Sequence, residues 1–264
     1  MHWRPKAAAP ARTRELPPSA QQSHAGDRWQ VTTVAAQLRS RDQIERELCR
    51  AAGRDVQGTP LATGQAADAL LLLSGGHPVR RVPGLARLLP SSLDSLRMAA
   101  RLRGEGVLPA EVSLWAVENP LVNQPSRLVH KIEAGAQVVI TQPPLLWGRF
   151  DQWIQEVHRQ GLHKHTRLVI GMPIISSTGN LDFWLRLCNA RGQPGAADLL
   201  QHFGSKEAEG RVQFWAFCRQ WNRRLVEQVC EMPGVAGLHI MPLTKTARQI
   251  TLEFLQEDVL PTNQ

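Results

Sequence analysis

Six short apolar runs, each followed by a stretch of helical period, predict an α/β fold on a parallel β-sheet. Three observations carry that expectation. The runs are continuously apolar rather than alternating, as strands covered on both faces require. The stretches between them carry helix start and stop signals. The rhythm then holds from residue 29 almost to the end of the 264-residue chain, enough for one large α/β domain or two small ones.

The first run is Trp29 to Ala35, and Ser40 with Gln43 three residues on has the spacing of a capping box. It opens a helix with Ile44, Leu48 and Ala51 on one side. The second run, Ala67 to Leu73, ends in Ser74-Gly75-Gly76-His77-Pro78, and Ser92 begins a helix through Leu93, Leu96 and Ala100 that stops near Gly104. The third run is Val112 to Val117. Pro125 suits a first helical turn, Leu128 and Ile132 form that helix's inner face, and Gly135 ends it. The fourth run, Gln137 to Gln142, precedes a helix carrying Phe150, Trp153 and Val157, closed by Gly161. The fifth, Arg167 to Ile175, leads through Asn180 into a helix with Leu181, Trp184 and Cys188. A long amphipathic helix over about 210–231 turns Phe214, Trp221 and Leu225 inward. The sixth run, Leu238 to Leu243, precedes a last helix with Ala247, Ile250 and Phe254. Right-handed crossovers wind such units toward a doubly wound sheet or an eight-stranded barrel. Six units fall two short of the barrel.

Composition excludes little beyond this. Hydrophobic residues make up 42% and charged residues 20%, an ordinary globular balance that argues against disorder throughout. No window approaches the roughly 18 consecutive apolar residues of a membrane span. The net charge of +8 invites a nucleic-acid partner, yet the cations are spread along the chain. Part of the excess lies in an Arg-, Ala- and Pro-rich arm over residues 1–28, with Arg4, Lys6, Arg12 and Arg14, that is expected to be disordered or targeting-like. A solvated helix face accounts for Arg223-Arg224. Cys49, Cys188, Cys218 and Cys230 show neither CxxC nor zinc spacing, so four buried, reduced thiols and a cytoplasmic location are expected. No metal site is expected, and His163-Lys164-His165 reads as a solvated loop. Tyrosine is absent, which removes one common flavin or phosphate contact.

Polar groups that act on a ligand in parallel-sheet folds sit at strand C-termini. Those positions hold Gln37, Ser74 to His77, Glu118-Asn119, Thr141-Gln142, Ser176 to Thr178, and Thr244-Lys245. Among them only Glu118 could serve as a carboxylate base, and only His77 or Lys245 could donate a proton. No GxSxG and no Cys/His pairing suggests a nucleophile. Ser74-Gly75-Gly76-His77, with Arg80 and Arg81 behind it, reads as a tight turn or as backbone amides approaching a phosphate. Gln142 can offer donor and acceptor to a flat heterocycle, or serve as a satisfied rim amide.

The block from Lys131 to Pro143, Lys-Ile-Glu-Ala-Gly-Ala-Gln-Val-Val-Ile-Thr-Gln-Pro, closely resembles the methylenetetrahydrofolate reductase family. Leu72 to Pro78 is similar to that family's Gly-Asp loop, Gly171 to Ser176 to its next strand, and Gly237 to Leu243 to its last. The resemblance covers about residues 29–260 and implies a parallel β/α barrel of the TIM type, here about six of eight units. It also implies FAD at the C-terminal face, with NAD(P)H as reductant of 5,10-methylenetetrahydrofolate in one-carbon folate metabolism. Residue by residue, Gln142 matches the pterin-binding glutamine, and Ser176 is placed beside it as substrate-binding. Lys131 matches a flavin-contacting lysine. Gln30 and Thr32 fall on a flavin-contacting strand, and Ser74, Gly75, Gly76 and His77 on the flavin loop.

Departures from the family pattern define the alternative. Gly76 stands where the family has its loop aspartate, Ala116-Val117-Glu118-Asn119 replaces a tyrosine-bearing motif, and residues 1–28 contain no Phe-Glu-Phe strand with the general acid. The alternative is therefore a catalytically dead module that binds folate or a partner chain. Two open sheet edges would also call for a homo-oligomer or partner chain to cover them.

Overall fold

The computed structural model describes residues 29–62, 66–75 and 89–260. The six strands are β1 (Val31–Ala35), β2 (Ala69–Leu73), β3 (Ser113–Glu118), β4 (Val138–Thr141), β5 (Arg167–Pro173) and β6 (Val235–Met241). They form one sheet in the order β1-β2-β3-β4-β5-β6, and every neighbouring pair is parallel. A doubly wound sheet reverses its order partway, and this one does not. Parallel crossovers share one hand, so an unreversed order puts the connecting helices on a single face. The chain is thus α/β with a single parallel six-stranded sheet, arranged as in part of a β/α barrel, with β1 and β6 as its edges.

The α-helices among the described residues are α1 (Arg41–Ala51), α2 (Ser92–Gly104), α3 (Ser126–Glu133), α4 (Trp147–Arg159), α5 (Thr178–Leu187), α6 (Ala196–Ala208), α7 (Arg211–Cys230) and α8 (Lys245–Gln256), and a short 3-10 helix spans Leu162–Lys164. Local chemistry sets their ends. Ser40 accepts from Gln43 N while the Gln43 side chain returns to Ser40 N, the capping box that the spacing predicts. Ser91, one residue before the expected start, caps α2 in the same way with Asp94. Ser177 caps α5 through Asn180 N.

Helix α6 is an addition to the expected elements. Its Leu199, Leu200 and Phe203 pack on the core, but Gly195 before it and Gly204 within it weaken the helical pattern in the sequence. Phe203 is fully buried, with its ring centroid 4.9 Å from Phe217 and 5.3 Å from Trp221 on α7. Strand β6 begins at Val235, three residues before the apolar run, because Val235 and Gly237 pair with Leu168 and Val169 despite the poor strand propensity of glycine.

Register assigns two unequal faces to the sheet. Val34, Leu70, Leu72, Leu114, Ala116, Val139, Leu168, Ile170 and Met172 share the helix-facing side, and all are buried. On the other side Val31, Thr33 and His239 are exposed, while Leu71, Trp115, Val117 and Val169 are half-buried. The Trp29 and Trp115 rings meet there at 6.2 Å. The expectation of strands covered on both faces therefore holds at central β4, whose four residues are all buried, and is corrected toward the edges.

Three local expectations are also corrected. His163 is not in a solvated loop: it is half-buried and stacks on His158 with centroids 4.2 Å apart. All four cysteines are free thiols, but Cys230 is exposed while the other three are buried. Arg223 is not simply solvated either, since it pairs with Glu257 and lies over the Phe254 ring, helping Arg219 to tie α7 to α8. No described helix is long and apolar enough to cross a membrane.

Candidate functional site

The C-terminal ends of β3, β4, β5 and β6 bring Glu118, Gln142, Ser176 and Thr244 to one rim of the sheet. Glu118 shares the helix-facing side with Leu114 and Ala116, by the two-residue period of a strand. Its side chain is completely buried, and Lys131 Nζ approaches its Oε2 at 2.5 Å. The Lys131 ammonium also donates to Val117 O. On the other oxygen, Glu118 Oε1 accepts from Asn119 N at 2.8 Å and Asn123 Nδ2 at 2.6 Å. Four donations thus converge at the end of β3, and the carboxylate that could serve as a base is engaged through both of its oxygens. Burial pulls the Lys131 pKa below its ordinary value, and the adjacent Glu118 carboxylate opposes that shift.

Lys131 lies in the last turn of α3, and Gly135, at φ +102°, turns the chain from that helix into β4 beside β3. Asn119 then ties that terminus to the end of α5: its Nδ2 donates to Cys188 O at 2.7 Å, and its Oδ1 accepts from Leu121 N at 3.1 Å. Arg149 Nε donates to Leu121 O at 2.7 Å.

Gln142 is held at two points. Its backbone N–H donates to Glu118 O at 2.7 Å, and its Oε1 accepts from Cys188 Sγ at 3.3 Å. Burial pushes the Cys188 thiol up to about 12, so it stays protonated and able to donate. Gln142 Nε2 has no protein partner among the described residues. Ser176 Oγ lies 2.7 Å from Thr244 Oγ1, which also accepts from Ala247 N as the cap of α8. A cavity of about 540 Å³ opens beside Ser176, between α7 and α8.

The remaining expected residues are placed elsewhere. Ser74 Oγ accepts from Ser92 N at 2.8 Å and so supports the first turn of α2. Gly75 takes φ +80°, and a Cβ there would lie 2.5 Å from Gln37 Cγ, so packing alone accounts for the glycine. Gly76 and His77 lie outside the described residues. Gln30 N donates to Asp68 Oδ2 at 2.6 Å, at the end of β1 opposite the rim. Thr32 shares the face of buried Val34, toward the helices. The structure therefore unites Gln142, Ser176 and the Glu118 network at one rim, but does not gather Gln30, Thr32, Ser74 and Lys131 into one pocket. No cluster of three or more His, Cys, Asp or Glu that could hold a metal occurs among the described residues.

Sequence reasoning did not single out Asn123, Arg149 or the Cys188 contact to Gln142. The first had a signal, because Glu118-Asn119-Pro120 followed by Asn123 is turn chemistry in which Asn side chains bond nearby amides. The others depend on tertiary approach across 28 and 46 residues and carried none. No protein-family model matches this sequence, and neither does any curated protein.

Proposed function

We propose that this chain is a methylenetetrahydrofolate reductase-like β/α barrel of the TIM type that binds a folate or related pterin at the rim formed by Gln142 and Ser176, within one-carbon folate metabolism. The anchoring of Gln142 supports this reading most directly. Cys188 fixes the amide by its oxygen, which leaves the Nε2 donor for a ligand. Pterin edges carry both acceptors and donors, and a preoriented amide recognises such an edge at little entropic cost.

The family resemblance also implies FAD, which would supply hydride transfer when bound. The described residues do not fit that group. The Lys131 ammonium is engaged by Glu118 and Val117, Gln30 sits at the far end of β1, and Thr32 points to the helices. The engaged Glu118 favours a binding module over a reductase, since a carboxylate receiving two N–H donors and an ammonium is a structural group rather than a free acid or base. Paired sheet edges at β1 and β6 belong to the same reading, through a second copy or another chain.

Titration with 5-formyltetrahydrofolate, read by calorimetry, tests the proposal. Binding should weaken about tenfold in Gln142→Met, the loss of roughly one hydrogen bond. No heat of binding, or an unchanged affinity in the variant, would remove the folate reading. After incubation with FAD and gel filtration the protein should be colourless. Retained flavin that NAD(P)H bleaches would establish the reductase reading in its place.

A further inference from the structure

The cavity beside Ser176 has a chemistry that the folate reading does not use. Its walls come from the end of α6, the first two turns of α7 and the first two turns of α8. At about 540 Å³ it is within the size range of small-molecule sites. Arg211 and Trp215 stand four residues apart on α7, so they lie on the same side of the helix. Trp215 is 36% exposed and its ring packs against no other aromatic ring among the described residues. Arg211 makes no hydrogen bond or ion pair there, although Arg219 and Arg223 on the same helix are both paired. Glu207 also lines the cavity and has no ion pair among the described residues.

The cavity thus presents an aromatic platform, one free guanidinium and one free carboxylate. The floor is apolar and inert: Phe214 is buried, and burial pushes the Cys218 thiol up to about 12, which keeps it neutral. A single arginine offset by a glutamate suits a monoanion that also carries an N–H donor. It disfavours a phosphate dianion, which Glu207 would repel. Exposed Thr246 and Gln249, from the first two turns of α8, supply neutral hydrogen-bonding groups, Gln249 through its Oε1 because its Nε2 donates to Glu253 Oε1.

We propose that this cavity binds a planar amino-substituted aromatic carboxylic acid, with its ring on Trp215, its carboxylate on Arg211 and its amino group on Glu207. The site shares Ser176 with the rim described above, but it requires neither flavin nor folate.

Anthranilate is the probe, with aniline and benzoate as ligands lacking one group each. Calorimetric titration of the full chain should show anthranilate binding more tightly than either. Arg211→Gln should weaken anthranilate by about 10- to 100-fold, the range for a hydrogen bond to a charged group, and abolish its advantage over aniline. Glu207→Gln should strengthen benzoate, which loses a repelling charge, and so narrow or abolish the preference for anthranilate over benzoate. In a 15N spectrum, the indole N–H signal that disappears in Trp215→Phe should move on adding anthranilate. These three side chains lie at the surface or on a cavity wall, and an unchanged thermal midpoint will verify that each variant is folded. Failure of anthranilate to bind at millimolar concentration, equal affinity for aniline, or indifference to Arg211→Gln would overturn the proposal. A folate that binds while anthranilate does not would do the same and leave the rim reading standing.

Discussion

Replacing Lys131 by Met separates a structural lysine from a ligand-contacting one. In the native protein its ammonium neutralises Glu118, whose side chain is wholly buried. Lys131→Met leaves that carboxylate in place with only Asn119 N and Asn123 Nδ2 as donors. Removing one partner of a buried ion pair typically costs about 3–5 kcal/mol, because the remaining charge is uncompensated. For a domain of this size, about 2–4 °C of thermal midpoint is lost per kcal/mol, so the midpoint should fall by roughly 6–20 °C. Glu118→Gln in the same chain removes the stranded charge. Its amide oxygen can still accept from Asn119 N, and its amide nitrogen can replace the ammonium on Val117 O. The double variant should therefore recover most of the loss, giving a coupling energy of about 2 kcal/mol or more in a urea-unfolding double-mutant cycle. A Lys131→Met protein within about 1 kcal/mol of wild type, with no coupling to Glu118, would refute the reasoning and return Lys131 to the role of a ligand contact.

Three further outcomes follow from single contacts. Gly171→Ala would place a Cβ 2.4 Å from Thr141 O, a backbone atom held in the β4–β5 ladder, so urea unfolding should show a loss of about 1–3 kcal/mol or more; a loss under about 0.5 kcal/mol would contradict that packing. Desolvation, with help from His158, holds the His163 imidazole below its ordinary pKa. The unfolded state then takes up the proton first, so this contribution is complete above about pH 6.5 and is lost as pH falls below it; the decline in stability between pH 7.5 and pH 5 should be smaller in His163→Phe. One thiol, Cys230, should react with Ellman's reagent in the native protein and all four after denaturation, since Cys49, Cys188 and Cys218 are buried and every thiol is pushed upward by desolvation.

What the sequence made legible was local. Ser40 with Gln43, Gly135 and Gly161 mark helix ends through chemistry within a few residues, and each end lies where that chemistry puts it. The buried strand runs were readable because a parallel sheet flanked by helices needs continuous apolar segments. Helix α6 was obscured because Gly195 and Gly204 lower its propensity, while its stability comes from Phe203 against α7. Edge exposure was also beyond reach: Val31 and Leu71 look alike as apolar residues, and only strand order makes one an edge position.

The rim shows the same division at the level of chemistry. Glu118 and Gln142 are both polar and both close to a strand end, and so both plausible in sequence as groups that meet a ligand. Register separates them. Glu118 is a residue of β3 itself and falls in phase with Leu114 and Ala116, so its carboxylate enters the helix layer and must be neutralised there. Gln142 lies one residue beyond β4, where the strand alternation no longer confines its side chain, and a single thiol contact fixes half of the amide. A polar residue inside a buried strand is thus a structural commitment, whereas one just past its end can face a ligand. That distinction makes Gln142, rather than Glu118 or Lys131, the residue on which the proposed binding function rests.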